Sequence, residues 1–163
     1  MTTRISTLFA LLLWITTACA QTSLKTAFDP AQLKGYPRSS LSIQRSGGGR
    51  DTFRIFIADT PARQQQGLMW VRNLPADHGM LFVLEAQRPM HMWMKNTYVP
   101  LDMIFIRADG RILRIAENTE PFSTKIISSG GLAKGVLEVI AGTAQKYGIQ
   151  PGDRVAHPLF NKR

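Results

Sequence analysis

The sequence predicts an α+β fold: a mostly antiparallel or mixed β-sheet curled into a partial barrel, with two short helices. Three observations carry that expectation. About seven short apolar segments keep a two-residue period between turn residues, and only two stretches carry helix start and stop signals. There are no heptads, internal repeats or long helical patterns. Helices this short cannot serve as long parallel crossovers at every step, so hairpins must make most connections.

The chain has 163 residues, enough for one domain with a real core. Residues 1–20 stand apart: Arg4 is followed by an apolar run from Leu8 to Ile15, and Ala18-Cys19-Ala20 offers small residues to a signal peptidase. These features predict a signal peptide cleaved after Ala20 and a periplasmic or secreted protein; the run is too short for a membrane span. A lipoprotein anchored at Cys19 is the alternative, although Thr16 stands where such signals want an aliphatic residue. Cys19 is the sole cysteine, so the mature chain has no disulfide, thiolate ligand or cysteine nucleophile.

The net charge is +9, or +8 once Arg4 is removed. That balance favours polyanions, and for an exported chain it points to an anionic envelope component rather than nucleic acid. The basic residues form no block, and solubility explains them equally well. Membrane contact is expected only through the signal peptide or a lipid on Cys19.

Residues 21–49 hold Pro30, Pro37 and Ser46-Gly47-Gly48-Gly49 without a sustained period, and read as an extended arm and linker. Within them, Leu41 and Ile43 suit a short edge strand. The globular domain is assigned to 50–160. Thr52–Ala58 alternates as a half-buried strand. Thr60 then caps a helix that begins at Pro61 and stops at Gly67. Residues 73–79 form a loop, and Met80–Leu84 is apolar throughout, as a strand buried on both faces would be.

A turn at Gln87-Arg88-Pro89 would return the chain antiparallel as Met90–Lys95, making a hairpin. Met103–Ala108 and Arg111–Ala116 flank Asp109-Gly110, the dipeptide of type I′ turns, and form a second hairpin. Residues 117–125 are a loop and Ser128–Gly131 a glycine-rich turn. Gly135–Ile140 is a strand, Gly142–Tyr147 a short helix ended by Gly148, and Arg154–Ala156 a last strand after Pro151-Gly152-Asp153.

Several of these motifs carry a resemblance: Gly67-Leu68-Met69, Leu74-Pro75, Gly79-Met80-Leu81-Phe82, Trp93-Met94-Lys95-Asn96-Thr97, Pro100-Leu101-Asp102, Asp109-Gly110, Ser128-Ser129-Gly130, Val136-Leu137-Glu138 and Gly152-Asp153. In this order, over about residues 50–158, they resemble the family called domain of unknown function 192 (DUF192). The resemblance implies a compact, mostly β single domain, often behind a signal peptide, and no established activity or cofactor. Met90, His91 and Met92 are not part of the shared motif.

Three chemistries remain open. The first is binding of a small polar ligand or an envelope component at a cleft near Trp93 to Asp102. There Trp93 supplies an aromatic wall, Lys95 a positive charge, Asn96 an amide and Asp102 a carboxylate. The structural alternative has Asn96 closing a turn and Asp102 taking Lys95 or backbone N–H groups. The second is a hydrolase with Asp102 and Glu138 as acid and base, which requires the two carboxyls to lie close together. Glu138 sits alone in an apolar strand and must face solvent, meet a cation or be protonated; Lys134, Arg154, Arg63 and Lys95 are candidate partners. The third is Cu(I) held by Met90, Met92 and Met94 on one strand face with His91 close by, against ordinary core packing of the methionines. No cofactor is predicted. His78, His91 and His157 have no second histidine at a metal-binding interval, and no phosphate loop or nucleophile elbow is present.

Overall fold

A computed structural model of the chain describes residues 27–160. The signal peptide expected over residues 1–20 and the alternative lipid attachment at Cys19 lie outside the described residues. One mixed sheet of seven strands dominates, in the order β5-β4-β6-β3-β2-β1-β7. The strands are β1 (Arg38–Gln44), β2 (Arg50–Ala58), β3 (His78–Met92), β4 (Leu101–Ile106), β5 (Ile112–Thr119), β6 (Ile127–Ile140) and β7 (Arg154–Ala156). Helix α1 (Pro61–Gln66) connects β2 to β3, and α2 (Thr143–Tyr147) connects β6 to β7. Among the described residues no helix is long and apolar enough to cross a membrane.

The edges of the sheet approach each other. Arg111 at the start of β5 bridges Arg154 on β7, Ile112 N–H donates to the Asp153 carbonyl at 2.8 Å, and Val155 N–H donates to the Gly110 carbonyl at 2.8 Å. This contact curls the sheet into a half-barrel and shields strand edges that would otherwise present unpaired backbone groups. The concave side packs Leu41, Ile43, Phe53, Ile55, Leu137 and Val155. The other face packs Phe56, Met80, Phe82, Met94, Met103 and Val136 beneath α1 and the loops around it. All six residues of β4 are buried, because both faces of the sheet are covered.

Local signals explain the short helices. Thr60 Oγ1 accepts from Arg63 N–H at 3.3 Å, Pro61 opens α1, and Gly67 closes it. Gly148, in the left-handed region at φ 63°, ends α2.

Five expectations are corrected. Met80–Leu84 and Met90–Lys95 are not a hairpin, because residues 78–92 form one strand paired along its length with β6. The turn foreseen at Gln87-Arg88-Pro89 is a bulge: five steps from Val83 to Arg88 oppose two from Gly135 to Ala133. The extra residues bend the strand, and Pro89, which has no N–H to donate, is accommodated at a second irregularity. Ser128–Gly131, foreseen as a turn, belongs to β6, whose length β3 matches.

The Asp109-Gly110 connection is likewise not a two-residue turn. Arg107 N–H donates to the Arg111 carbonyl at 2.9 Å, Gly110 N–H donates to the Arg107 carbonyl at 3.0 Å, and within the dipeptide only Gly110 has a positive φ, at 84°. This is the longer hairpin with one left-handed glycine. Finally, the strand containing Leu41 and Ile43 is not at an edge, since β1 lies between β2 and β7. The arm assigned to 21–49 thus contributes a strand to the sheet. One parallel pair, β2 with β3, makes the sheet mixed, and the connection through α1 provides its crossover.

Candidate functional site

The site is organised by the way α1 and the segment after β3 cover the convex face. Gln64 on α1 donates from Nε2 to the carbonyls of Ala58 at 3.2 Å and Val83 at 2.8 Å, pinning the helix across β2 and β3. Gly67 leaves room for the Phe82 ring, whose nearest atom would lie 2.9 Å from a Cβ there. Residues 93–100 are then fastened by backbone bonds: Trp70 N–H to the Asn96 carbonyl at 2.9 Å, Met94 N–H to Ser123 at 2.9 Å, and Phe122 N–H to Thr97 at 3.2 Å. Trp70, Asn96 and Phe122 have φ of 68°, 57° and 61°. Left-handed backbone is uncommon outside glycine, and for bulky aromatics it is strained. Both aromatic rings pack on Tyr98, at 6.1 and 4.9 Å between centroids, so the strained turns are held by side-chain contact.

Between α1 and the C-terminal part of β3 runs a groove of about 330 Å³. Gln64, Gln65, Phe82, Met92 and Trp93 line it, with Arg88 and His91 along its outer part. The same five residues also border an inner cavity of about 30 Å³, where Met69, Lys95, Thr97 and Glu138 join them. A cavity of that size admits one or two water-sized groups.

Glu138 is 4 % exposed. By register its neighbours are Met80 on β3 and Met103 on β4, and no described group gives its carboxyl a hydrogen bond or ion pair. Burial alone pushes its pKa up to about 8, which makes it a neutral acid at neutral pH. Of the cations foreseen as its partner, Arg63 pairs with Asp59 at 2.6 Å and Lys134 donates to the Glu85 carbonyl. Lys95 shares the cavity wall but holds its ammonium 5.6 Å from the Trp93 ring centroid.

The other sequence-predicted residues divide. Trp93, 45 % exposed, and Lys95 do line the cleft. Asn96 closes the turn instead, with its amide 3.8 Å from Met69 Sδ. Asp102 leaves the site altogether: it is fully buried, and its two oxygens accept from Asn118 N–H and Ala144 N–H, each at 2.9 Å. It pairs in register with Val139, while Met103 pairs with Glu138, so Asp102 and Glu138 face opposite sides of the sheet. The acid and base pair of the hydrolase reading is therefore not formed.

The methionine stripe alternates as foreseen, with Met90 and Met94 buried, Met92 half-buried, and His91, Trp93 and Lys95 exposed. It does not act as one ligand face. Met94 is sealed in the core, where its sulfur accepts the Thr119 hydroxyl at 3.2 Å, whereas Met90, His91 and Met92 reach the groove. No cluster of three or more His, Cys, Asp or Glu that could hold a metal occurs among the described residues.

Sequence reasoning missed Gln64 and Gln65 as groove residues, since only the docking of α1 on β3 brings them there. Glu138 did carry a signal, as the lone charge in an apolar strand.

Comparison with curated proteins returns no match. Among solved structures, a protein from Sinorhizobium meliloti 1021, provisionally named a transcription regulator, is similar at 43% identity and a TM-score of 0.73. The match covers 74% of this chain and 94% of that one. A protein of unknown function from Novosphingobium aromaticivorans DSM 12444 is similar at 34% identity and a TM-score of 0.74, over 80% of this chain and 91% of the other. A family profile, DUF192, described as an uncharacterized ACR, matches residues 42–157. With its motifs in order, its sheet shared with these structures and its length covered from β1 to β7, the chain belongs to the DUF192 family.

Proposed function

We propose that this domain binds a small polar molecule in the groove between α1 and β3, with Trp93 as its wall and the inner cavity at Glu138 as its polar end. The observation that carries this reading is Glu138: the residue is 4 % exposed, its carboxyl has no hydrogen-bond partner, and it borders a small cavity that shares five lining residues with the groove. Burying a carboxyl without a partner costs several kcal/mol by rough estimate. A ligand group that hydrogen-bonds to it recovers part of that cost. Trp93, half-exposed over the same groove, offers the ring face that binding sites use for apolar or sugar surfaces.

In the exported location that residues 1–20 predict, the groove would meet envelope solutes. The provisional regulator name of the Sinorhizobium relative is not extended to this chain, because α1 and α2 have six and five residues, too short to read a major groove in the usual way.

The test is an NMR titration of the 15N-labelled protein with free amino acids, hexoses and glycerol phosphate. At least one probe should shift the backbone amides of residues 64–66, 92–97 and 138 together, and Trp93→Ala should weaken that response at least tenfold without altering the fold. A panel that leaves these amides unmoved, or a response indifferent to Trp93→Ala, would overturn the proposal.

A further inference from the structure

The charges along the groove have a fixed order. Its innermost group is an acid, Glu138, and the side chains that follow are basic in type: Lys95 at the inner cavity, then Arg88 and the His91 imidazole along the outer part. Uncharged side chains fill the space between, with Gln64 and Gln65 on α1 and Phe82, Met92 and Trp93 opposite them. A ligand that satisfies both ends carries a cationic head inward and an anionic group outward.

The inner cavity suits an ammonium head. Its 30 Å³ holds a group the size of water, and an –NH3+ is of that size. Acceptors surround it. Glu138 offers a carboxyl, Met69 and Met92 offer thioether sulfurs, and Thr97 directs its hydroxyl hydrogen to the Lys95 carbonyl at 3.3 Å, which leaves its oxygen lone pairs to receive. The Trp93 ring adds a cation-attracting face at the entrance. Ammonium binding without a counter-charge would be opposed by Lys95, so a bare amine is disfavoured against a zwitterion.

Resting on the groove reading above, we infer that the ligand is an amino-acid-like zwitterion, bound with its ammonium at Glu138 and its carboxylate at Lys95 and Arg88. Glu138 is neutral before binding and charged after it, so its proton leaves to solvent as the ammonium enters, and the ligand keeps all three of its own protons. Lys95 is the other ionisable side chain on the inner cavity; Arg88 and His91 are those of the outer groove; the packed neighbours Met80 and Met103 on β3 and β4 do not titrate.

The experiment is isothermal titration calorimetry of the full chain with glycine, β-alanine, 4-aminobutyrate and 6-aminohexanoate. Hexanoate, hexylamine and hexanamide serve as matched probes lacking one group or both. It is run in two buffers of different ionisation heat, in a His91→Gln background so that the imidazole does not contribute. At least one zwitterion should bind at least tenfold tighter than all three matched probes and release about one proton at pH 7. Its affinity should rise about tenfold from pH 6 to pH 7, because the charged fraction of an acid titrating near 8 rises by that factor. Glu138→Gln, which keeps the shape, should abolish the proton release and weaken binding at least thirtyfold, while Lys95→Met should weaken the zwitterion and strengthen hexylamine, whose ammonium Lys95 opposes.

Hexanoate or hexanamide binding as tightly as the zwitterions, or binding without proton release, would overturn the inference. If sugars or glycerol phosphate move the groove amides while every zwitterion fails, the groove stands and the amino-acid assignment falls; if nothing moves them, both fall.

Discussion

Asp102 on β4 and Glu138 on β6 are one register step apart, yet they sit on opposite faces of the sheet, because Asp102 aligns with Val139 and Met103 aligns with Glu138. The two acids consequently live in different chemistry. Asp102 is saturated by two main-chain N–H groups, and Glu138 has none. One ties the fold together, and the other borders the cavity beneath α1.

Glu138→Gln should change how stability depends on pH. The folded pKa of Glu138 is raised to about 8 from an ordinary 4.5, so the native state holds its proton more tightly than the unfolded chain does. Its contribution is fully present below about 4.5 and is lost as pH rises through about 8. Urea denaturation of the wild type should therefore lose on the order of a few kcal/mol across that window, over and above other groups. Glu138→Gln should flatten this loss and unfold later than the wild type at pH 8. An unchanged slope would show that Glu138 ionises freely.

Asp102→Ala should be severe and Asp102→Asn intermediate. The carboxylate joins β4 to the end of β5 through Asn118 and to the first turn of α2 through Ala144. Alanine strands both N–H groups in a fully buried place, a cost of about 2–5 kcal/mol, while asparagine keeps one acceptor oxygen. Thermal melts should rank wild type, Asp102→Asn and Asp102→Ala in that order. Equal melting of Asp102→Ala and wild type would contradict the buried bonds.

Gly135→Ala tests the closeness of β6 to β3. A Cβ at Gly135 would come within 2.5 Å of the Phe82 carbonyl oxygen, a backbone atom that cannot rotate away. The strands must separate locally, and a destabilisation of about 2 kcal/mol or more is expected from such overpacking. A melting temperature within a degree of wild type would show that the strands are farther apart.

Asp153 should make the fold acid-sensitive at the C-terminal end. Burial pushes its carboxyl up, but hydrogen bonds from Ser46 and Gln150, with the Arg45 charge, outweigh that and hold it below the usual carboxylate value. A depressed acid contributes stability above its unfolded pKa and loses it as pH falls through the folded one. Asp153→Asn should thus cost about 1–3 kcal/mol at pH 7, and the gap to wild type should narrow below about pH 4. A gap that stays constant down to pH 3 would rule this out.

What the sequence determined by itself was what short-range physics controls. Thr60-Pro61 and Gly67 set the limits of α1, Gly148 ended α2, and the alternation from Met90 to Lys95 assigned inward and outward faces correctly. The motifs from Gly67 to Asp153 also disclosed the family. Tertiary structure decided the rest, because strand pairing joins residues far apart in the chain and a single register step moves a side chain to the other face. Residues 78–92 became one strand because β6 is long enough to pair with both of its halves on either side of the bulge, which no local pattern around Gln87-Arg88-Pro89 reveals. The same register turned Asp102 into an anchor for α2 and left Glu138 beneath α1, where the glutamines of a two-turn helix close a cavity over it.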